Sequence, residues 1–413
     1  MTGLTADQTV VIIGAGQAGG TCGMELHKKG FEGRILIVAD EDYIPYKRPP
    51  LSKTYFAGEA SLESLYVMQQ AKLDAAGIEC MTGVRVDSID RDNKALALSS
   101  GETLNYDKLV ITTGSRARPL PVDGADRPNV FMLRNIADVD AIRERCGEGK
   151  RIVIIGGGFI GLEAAAVAVK LGMKVTVLEG LERVLARVTA PYTSEFYEKV
   201  HRDAGVDLRT GAAVTGLEGD PEVTHVVLGD GSKIEADLVV IGIGIVPNVE
   251  LAEAAGLKVD NGIVIDDHCR SSDPDIYAAG DCANHHDHFY GRRMRLESVQ
   301  NAMDQARTAA DNLMGIEAVY DAQPWFWSDQ YDLKLQMVGI SQGYDDAVVR
   351  GNPDEKSFSV FYLKDGAIIA MDAISRPKDF MMSKKLIAER VQPDKEALAD
   401  ENVELKSFLP AAE

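Results

Sequence analysis

At 413 residues, with 45% hydrophobic and 26% charged side chains, the chain has the composition of a water-soluble α/β protein long enough for two or three domains. Its formal charge of −20 repels nucleic acid, so no nucleic-acid partner is expected. The five cysteines show no C-x-x-C or other close pairing, and no Cys/His set has metal-ligand spacing, so neither a redox dithiol nor a metal site is expected.

The first residues, Met1 to Thr9, are polar and lack an export-signal pattern. The longest apolar run, Leu238 to Val246, contains glycines and is too short to span a bilayer. A cytoplasmic protein without membrane association is expected. Residues 8–19 read as a strand and a turn, 20–30 as a helix ending at Gly30, and 34–38 as the next strand. Residues 106–114 read as a buried strand running into a glycine turn. Pro119, Pro121 and Pro128 mark a linker. The same grammar restarts at Arg151: strand, glycine turn, helix to about Lys170, strand 174–179, and a glycine-ended strand at 236–244.

Beyond Pro247, residues 262–266 and 275–281 read as strand segments, and 297–314 as a helix. His285, His286 and His288 read as a solvent-exposed turn. From Trp325 onward, stretches at 335–338, 347–350, 358–363 and 367–371 predict a small antiparallel sheet, followed by a helix near 379–391. The whole reads as α/β: two Rossmann-like dinucleotide-binding domains plus a C-terminal α+β domain.

The two turns are Gly14-Ala15-Gly16-Gln17-Ala18-Gly19 and Gly156-Gly157-Gly158-Phe159-Ile160-Gly161. Their first glycine makes the tight turn, the second lets backbone approach a pyrophosphate, and the third lets the helix pack on the strand. Two such turns suggest two dinucleotides and electron transfer between them. An acid closing the following strand holds the adenosine ribose and disfavours a 2′-phosphate. In the second unit that residue is Glu179, with no arginine immediately after it, so NADH is expected over NADPH. In the first unit the position is Ala39, with Asp40 beside it.

Several motifs together resemble one family. They are Tyr46-Lys-Arg-Pro-Pro-Leu-Ser-Lys53, Thr112-Thr-Gly114, Gly156 through Glu163, Ala279-Gly-Asp281, Glu297-Ser-Val299, Trp325-Phe-Trp-Ser-Asp-Gln330, Gly339 through Gly343 and Phe358 through Tyr362. Across nearly its whole length the chain is similar to the FAD- and NADH-dependent ferredoxin reductases of bacterial oxygenase systems, which have a glutathione-reductase-like fold. The resemblance implies an FAD-binding domain at 1–115 and 246–322, an NADH-binding domain at 116–245 and a C-terminal domain at 323–413.

For FAD the resemblance implies Gly14, Gly16, Ala18, Gly19, Asp40, Arg48, Lys53, Val86, Thr113, Gly114, Arg134, Asp281, Glu297, Val299 and Trp327. Ala18 and Asp40 would hold the ADP half, Val86 the adenine, Arg134 the phosphates or ring, Asp281 the ribityl chain and Val299 the ring by its backbone. For NADH it implies Gly156, Gly158, Phe159, Ile160, Gly161, Glu163, Glu179 and Gly244. Lys53 and Glu163 would form a catalytic pair close to the isoalloxazine and nicotinamide. The implied partner is an acidic [2Fe–2S] ferredoxin serving a cytochrome P450. It would meet Arg307, Trp327 and Lys384, with Arg292, Arg293, Arg295, Lys385 and Arg390 as further basic candidates. The alternatives are service to a ring dioxygenase, rubredoxin reduction, NADH oxidation, or a signalling flavoprotein. A monomer is expected.

Overall fold

The computed structural model describes residues Gly3–Pro410. They form two compact units. The first comprises residues up to Arg48, Ser61–Arg116 and Ile245–Ala322; the second comprises Pro49–Ala60, Ala117–Gly244 and the chain from Gln323 onward.

In the first unit the apolar strand Thr9–Ile13 lies at the centre of a five-stranded parallel sheet. Arg34–Val38 and then Ile78–Met81 lie on one side, Lys108–Ile111 and then Ile276–Ala278 on the other. Val10, Val11 and Ile12 are wholly buried, as expected of a parallel strand covered on both faces. The Gln17–Lys28 helix follows the central strand and packs against the Val299–Leu313 helix. The first helix reads Ala-Gly-Gly-Thr-Cys-Gly over its first turns, and these small residues are all buried.

The second unit repeats this plan. Arg151–Ile155 is central, flanked by Lys174–Leu178 and Asp207–Arg209 on one side and by Leu238–Ile241 and Val130–Met132 on the other. Each sheet is accompanied by a three-stranded antiparallel meander: Val86–Asp90, Ala95–Leu98 and Thr103–Asn105 in the first unit, Val214–Glu218, His225–Leu228 and Lys233–Glu235 in the second. The second unit also holds a five-stranded antiparallel sheet. Its order is Trp325–Gln330, Leu333–Gly339, Ala367–Ile374, Ser357–Lys364 and Asp346–Asn352, with the Pro377–Ala388 helix packed on it.

The histidine tract departs from expectation. Residues Ala283–Asp287 form a strand paired with Arg292–Met294, not an exposed turn. His285 is buried edge-on against Tyr320, whereas His288 is exposed. The tract's polar composition suggested a loop, but strand pairing takes up its backbone and alternation sends His285 inward. Among the described residues no helix is long and apolar enough to cross a membrane.

Candidate functional site

Both glycine turns have the geometry that a pyrophosphate requires. Gly14 has φ +109° and Gly156 φ +117°, and a Cβ on either would meet a carbonyl oxygen of the neighbouring strand end, Thr112 at 2.4 Å and Gly242 at 2.3 Å. At Gly19 and Gly161 a Cβ would lie 2.1 and 2.0 Å from the carbonyl oxygens of Gly14 and Gly156, so the helix can approach its turn only with glycine there. At Gly16 and Gly158 a Cβ would meet nothing within 4 Å. These two glycines begin the helices, neither of which has a side-chain cap or an acid in its first turn. Open space in front of uncapped N–H groups at the positive end of a helix suits a phosphate.

The strand-end acid is where the second turn needs it. Glu179 Oε2 accepts from the Gly157 N–H at 2.7 Å, and Oε1 accepts from the Leu181 N–H at 2.8 Å. Glu179 N–H donates to Arg209 O; in the first unit Ala39 N–H donates in the same way to Met81 O. Ala39 therefore occupies the acid's structural position, and Asp40 follows it as an exposed residue.

In the first unit Arg48 Nη2 lies 2.6 Å from Glu41 Oε1, and Arg48 Nη1 donates to the Tyr46 hydroxyl at 2.8 Å. The Ser115 hydroxyl donates to Asp281 Oδ2 at 2.8 Å, fixing the acid in Gly280-Asp281. Arg295 pairs with Glu297 at 2.7 Å and donates to Asp281 O, so its nearly buried guanidinium serves this loop and not a docking surface. Arg293 likewise donates to the carbonyls of Ile265 and Asn284. Thr113 Oγ1 donates to Asn248 O at 2.7 Å. Val86 packs its side chain into the core.

Lys53 and Glu163 come together in the second unit. Lys53 Nζ lies 2.6 Å from Glu163 Oε2; the Ser52 hydroxyl donates to that oxygen at 2.5 Å and the Ser328 hydroxyl to Oε1 at 2.6 Å. Three segments build this cluster: the Pro49–Ser52 turn, the Phe159–Lys170 helix that opens at the second glycine turn, and the Trp325–Gln330 strand. Phe159 and Phe326 stack at 4.8 Å and tie helix to strand beside it. The Glu163 side chain is 2% exposed, and burial pushes its carboxyl above the usual range. Lys53 and the two hydroxyls oppose that shift, and Glu163 is the acceptor in all three bonds, as an ionised carboxylate requires.

The other expected residues have partners of their own. Arg134 precedes the Asn135 helix cap, and its own N–H donates to Asp138 Oδ2. Trp327 packs at 5.7 Å from Trp325. Lys384 lies over the Trp325 and Phe380 rings at 4.9 and 4.7 Å. Exposed Arg307 pairs with Asp304 on its own helix. Glu41, Ser52, Ser115 and Ser328 were not picked out from the sequence. Ser52 and Ser328 lie inside two of the recognised motifs, which is the one signal pointing to them. All five cysteines are free; burial pushes the Cys22 thiol up to about 12, so it is packing and not a nucleophile.

A doubled Rossmann plan with two phosphate-ready turns defines a protein built to hold two dinucleotides. The chain belongs to the pyridine nucleotide-disulphide oxidoreductase family, whose model matches residues 8–306, and the model described as reductase C-terminal matches 325–409. It is 48% identical to putidaredoxin reductase CamA of Pseudomonas putida over 99% of this chain and 98% of that protein. Among solved structures, the reductase in the covalent putidaredoxin reductase–putidaredoxin complex superposes with TM-score 0.95 at 48% identity, covering 98% of each chain. The ferredoxin reductase for the CYP199A2 system of Rhodopseudomonas palustris gives TM-score 0.94 at 42% identity, covering 97% of this chain and 99% of that one.

Proposed function

We propose that this protein takes electrons from NADH and passes them through FAD to a [2Fe–2S] ferredoxin that serves a cytochrome P450. The observation that carries the reading is the ion pair between Lys53 and the buried Glu163, which lies on the helix that opens at the second glycine turn. Similarity to a reductase solved in covalent complex with putidaredoxin supports a ferredoxin as acceptor, and similarity to the reductase for the CYP199A2 system supports the P450.

When bound, the flavin supplies hydride acceptance and release of single electrons. The residues supply binding, orientation and field. The first turn and Asp281 hold FAD, with Arg48, Thr113, Gly114, Glu297, Val86 and the backbone of Val299. Asp40 contributes less than an acid at position 39 would, because it lies one residue beyond the strand-end position. The second turn holds the nicotinamide dinucleotide, with Phe159 and Ile160 at the helix start and Gly244 beyond the end of the Leu238–Ile241 strand. Glu179 accepts from the ribose hydroxyls and repels a 2′-phosphate, which favours NADH. Glu163 neutralises Lys53 and fixes its ammonium, whose charge favours the electron-rich flavin. Arg307 and Lys384 supply positive charge for an acidic partner, and Trp327 lines the route to it. The domain boundaries at residues 115, 245 and 322 separate the FAD, NADH and C-terminal roles. A cytoplasmic monomer completes the proposal.

Titrating the oxidised holoenzyme with NADH and with NADPH in a stopped-flow instrument tests the donor. Fast bleaching by NADH and slow bleaching by NADPH is the expected result; equal rates would remove the role given to Glu179.

A further inference from the structure

The Glu163 carboxylate is the inner end of a chain of hydrogen bonds that reaches the surface. Ser328 donates to Glu163 at 2.6 Å, and Gln330 Nε2 donates to the Ser328 oxygen at 3.1 Å. Gln330 Oε1 faces His201 Nε2 at 2.9 Å, and His201 Nδ1 faces the Tyr331 hydroxyl at 3.0 Å. An amide oxygen only accepts, so His201 carries its proton on Nε2, its Nδ1 accepts, and Tyr331 donates. Every donor in the chain therefore points toward Glu163. Ser328, Gln330 and His201 are 0–1% exposed, and Tyr331 is 37% exposed.

Tyr331 occupies the hairpin turn after the Trp325–Gln330 strand at φ +55°, a conformation that glycine or asparagine adopts more easily. A tyrosine kept there at a backbone cost fits a side chain with a task. Burial also lowers the His201 pKa and keeps the ring neutral, as a one-donor, one-acceptor link requires. An amide side chain does not pass protons readily, so the chain acts by polarising its bonds and not by conducting protons.

We propose that Tyr331, His201 and Gln330 are positioning residues that fix the direction of the Ser328 hydroxyl and so hold Glu163 charged against Lys53. Without the Tyr331 hydroxyl the imidazole can take its other tautomer, the Gln330 amide can turn over, and Ser328 can donate to Gln330 in place of Glu163. This inference rests on the role proposed above for Lys53 and Glu163.

The test uses holoenzyme carrying Tyr331→Phe, Gln330→Met, Glu163→Gln, and each of the first two combined with Glu163→Gln. Tyr331→Phe keeps the ring packed on His201 and removes one oxygen. Tyr331→Phe and Gln330→Met should each slow flavin reduction by NADH about three- to tenfold, the loss expected of one hydrogen bond between neutral groups, with the KM for NADH unchanged. Neither should slow it further in the Glu163→Gln background. Infrared difference spectra should show the protonated carboxyl band of Glu163 emerging at higher pH in both variants than in wild type. Equal slowing with and without the Glu163→Gln substitution, or wild-type rates together with an unmoved carboxyl band, would overturn the proposal. If Glu163→Gln itself leaves the reduction rate unchanged, the parent reading fails, and the infrared shift then decides the positioning network alone.

Discussion

Lys53 and Glu163, distant in sequence, meet at 2.6 Å in a pocket where the carboxylate is buried and two serine hydroxyls complete its shell. A buried acid is costly without its partner. Lys53→Met should therefore slow flavin reduction by NADH about a hundredfold to a thousandfold, the range for removing a preorganised electrostatic group. Glu163→Gln should slow it less. Stopped-flow absorbance at the flavin band measures both.

Because burial raises the Glu163 carboxyl above the usual range, it takes up a proton at a higher pH than an exposed glutamate does. As pH falls, Glu163 then loses the charge that fixes the Lys53 ammonium in place. The reduction rate should show an acid limb above the pH where exposed glutamates titrate, and Glu163→Gln should abolish that limb. A rate–pH profile of the two enzymes checks this.

The glycines of the second turn should separate folding from binding. At Gly161 a Cβ would lie 2.0 Å from the Gly156 carbonyl, so Gly161→Ala should destabilise the unit by about 3 kcal/mol through overpacking. At Gly158 the space is open, so Gly158→Val should leave the melting temperature and FAD content near wild type and raise the KM for NADH. Thermal melts beside steady-state kinetics distinguish the two.

Asp372 is buried beside Thr193 and Tyr362, and burial raises its pKa to about 7. Between about pH 4 and pH 7 the folded protein holds a proton there that the unfolded chain has released, so stability falls as pH rises through that window. Asp372→Asn should match wild type near pH 4 and be the more stable protein at pH 8, by up to about 4 kcal/mol at 1.36 kcal/mol per unit. Denaturant melts at the two pH values measure the difference.

Arg307→Glu should raise the KM for ferredoxin and leave NADH–ferricyanide activity unchanged. Loss of both activities together would indicate misfolding.

The two strand–turn–helix units and the acid at Glu179 were legible because local glycine spacing and apolar runs encode them. The Lys53–Glu163 pair was legible only through the resemblance, since nothing local brings those two positions together. Ser52 and Ser328 were missed for the same reason: each is an ordinary serine until the turn and the strand converge on one helix. Neither meander was read, because strands such as Val86–Asp90 are short and rich in acids. His285 was misread because composition says nothing about the register that buries it. Arg293 and Arg295 looked like docking charges, yet loop carbonyls and Glu297 occupy them.

The most direct test of the whole account is NADH-driven reduction of cytochrome c with and without added [2Fe–2S] ferredoxin, with oxygen uptake followed in parallel. The account predicts little reduction without ferredoxin, saturable reduction with it, and slow oxygen consumption throughout. Rapid ferredoxin-independent oxygen consumption that yields peroxide, with no response to any ferredoxin, would contradict it.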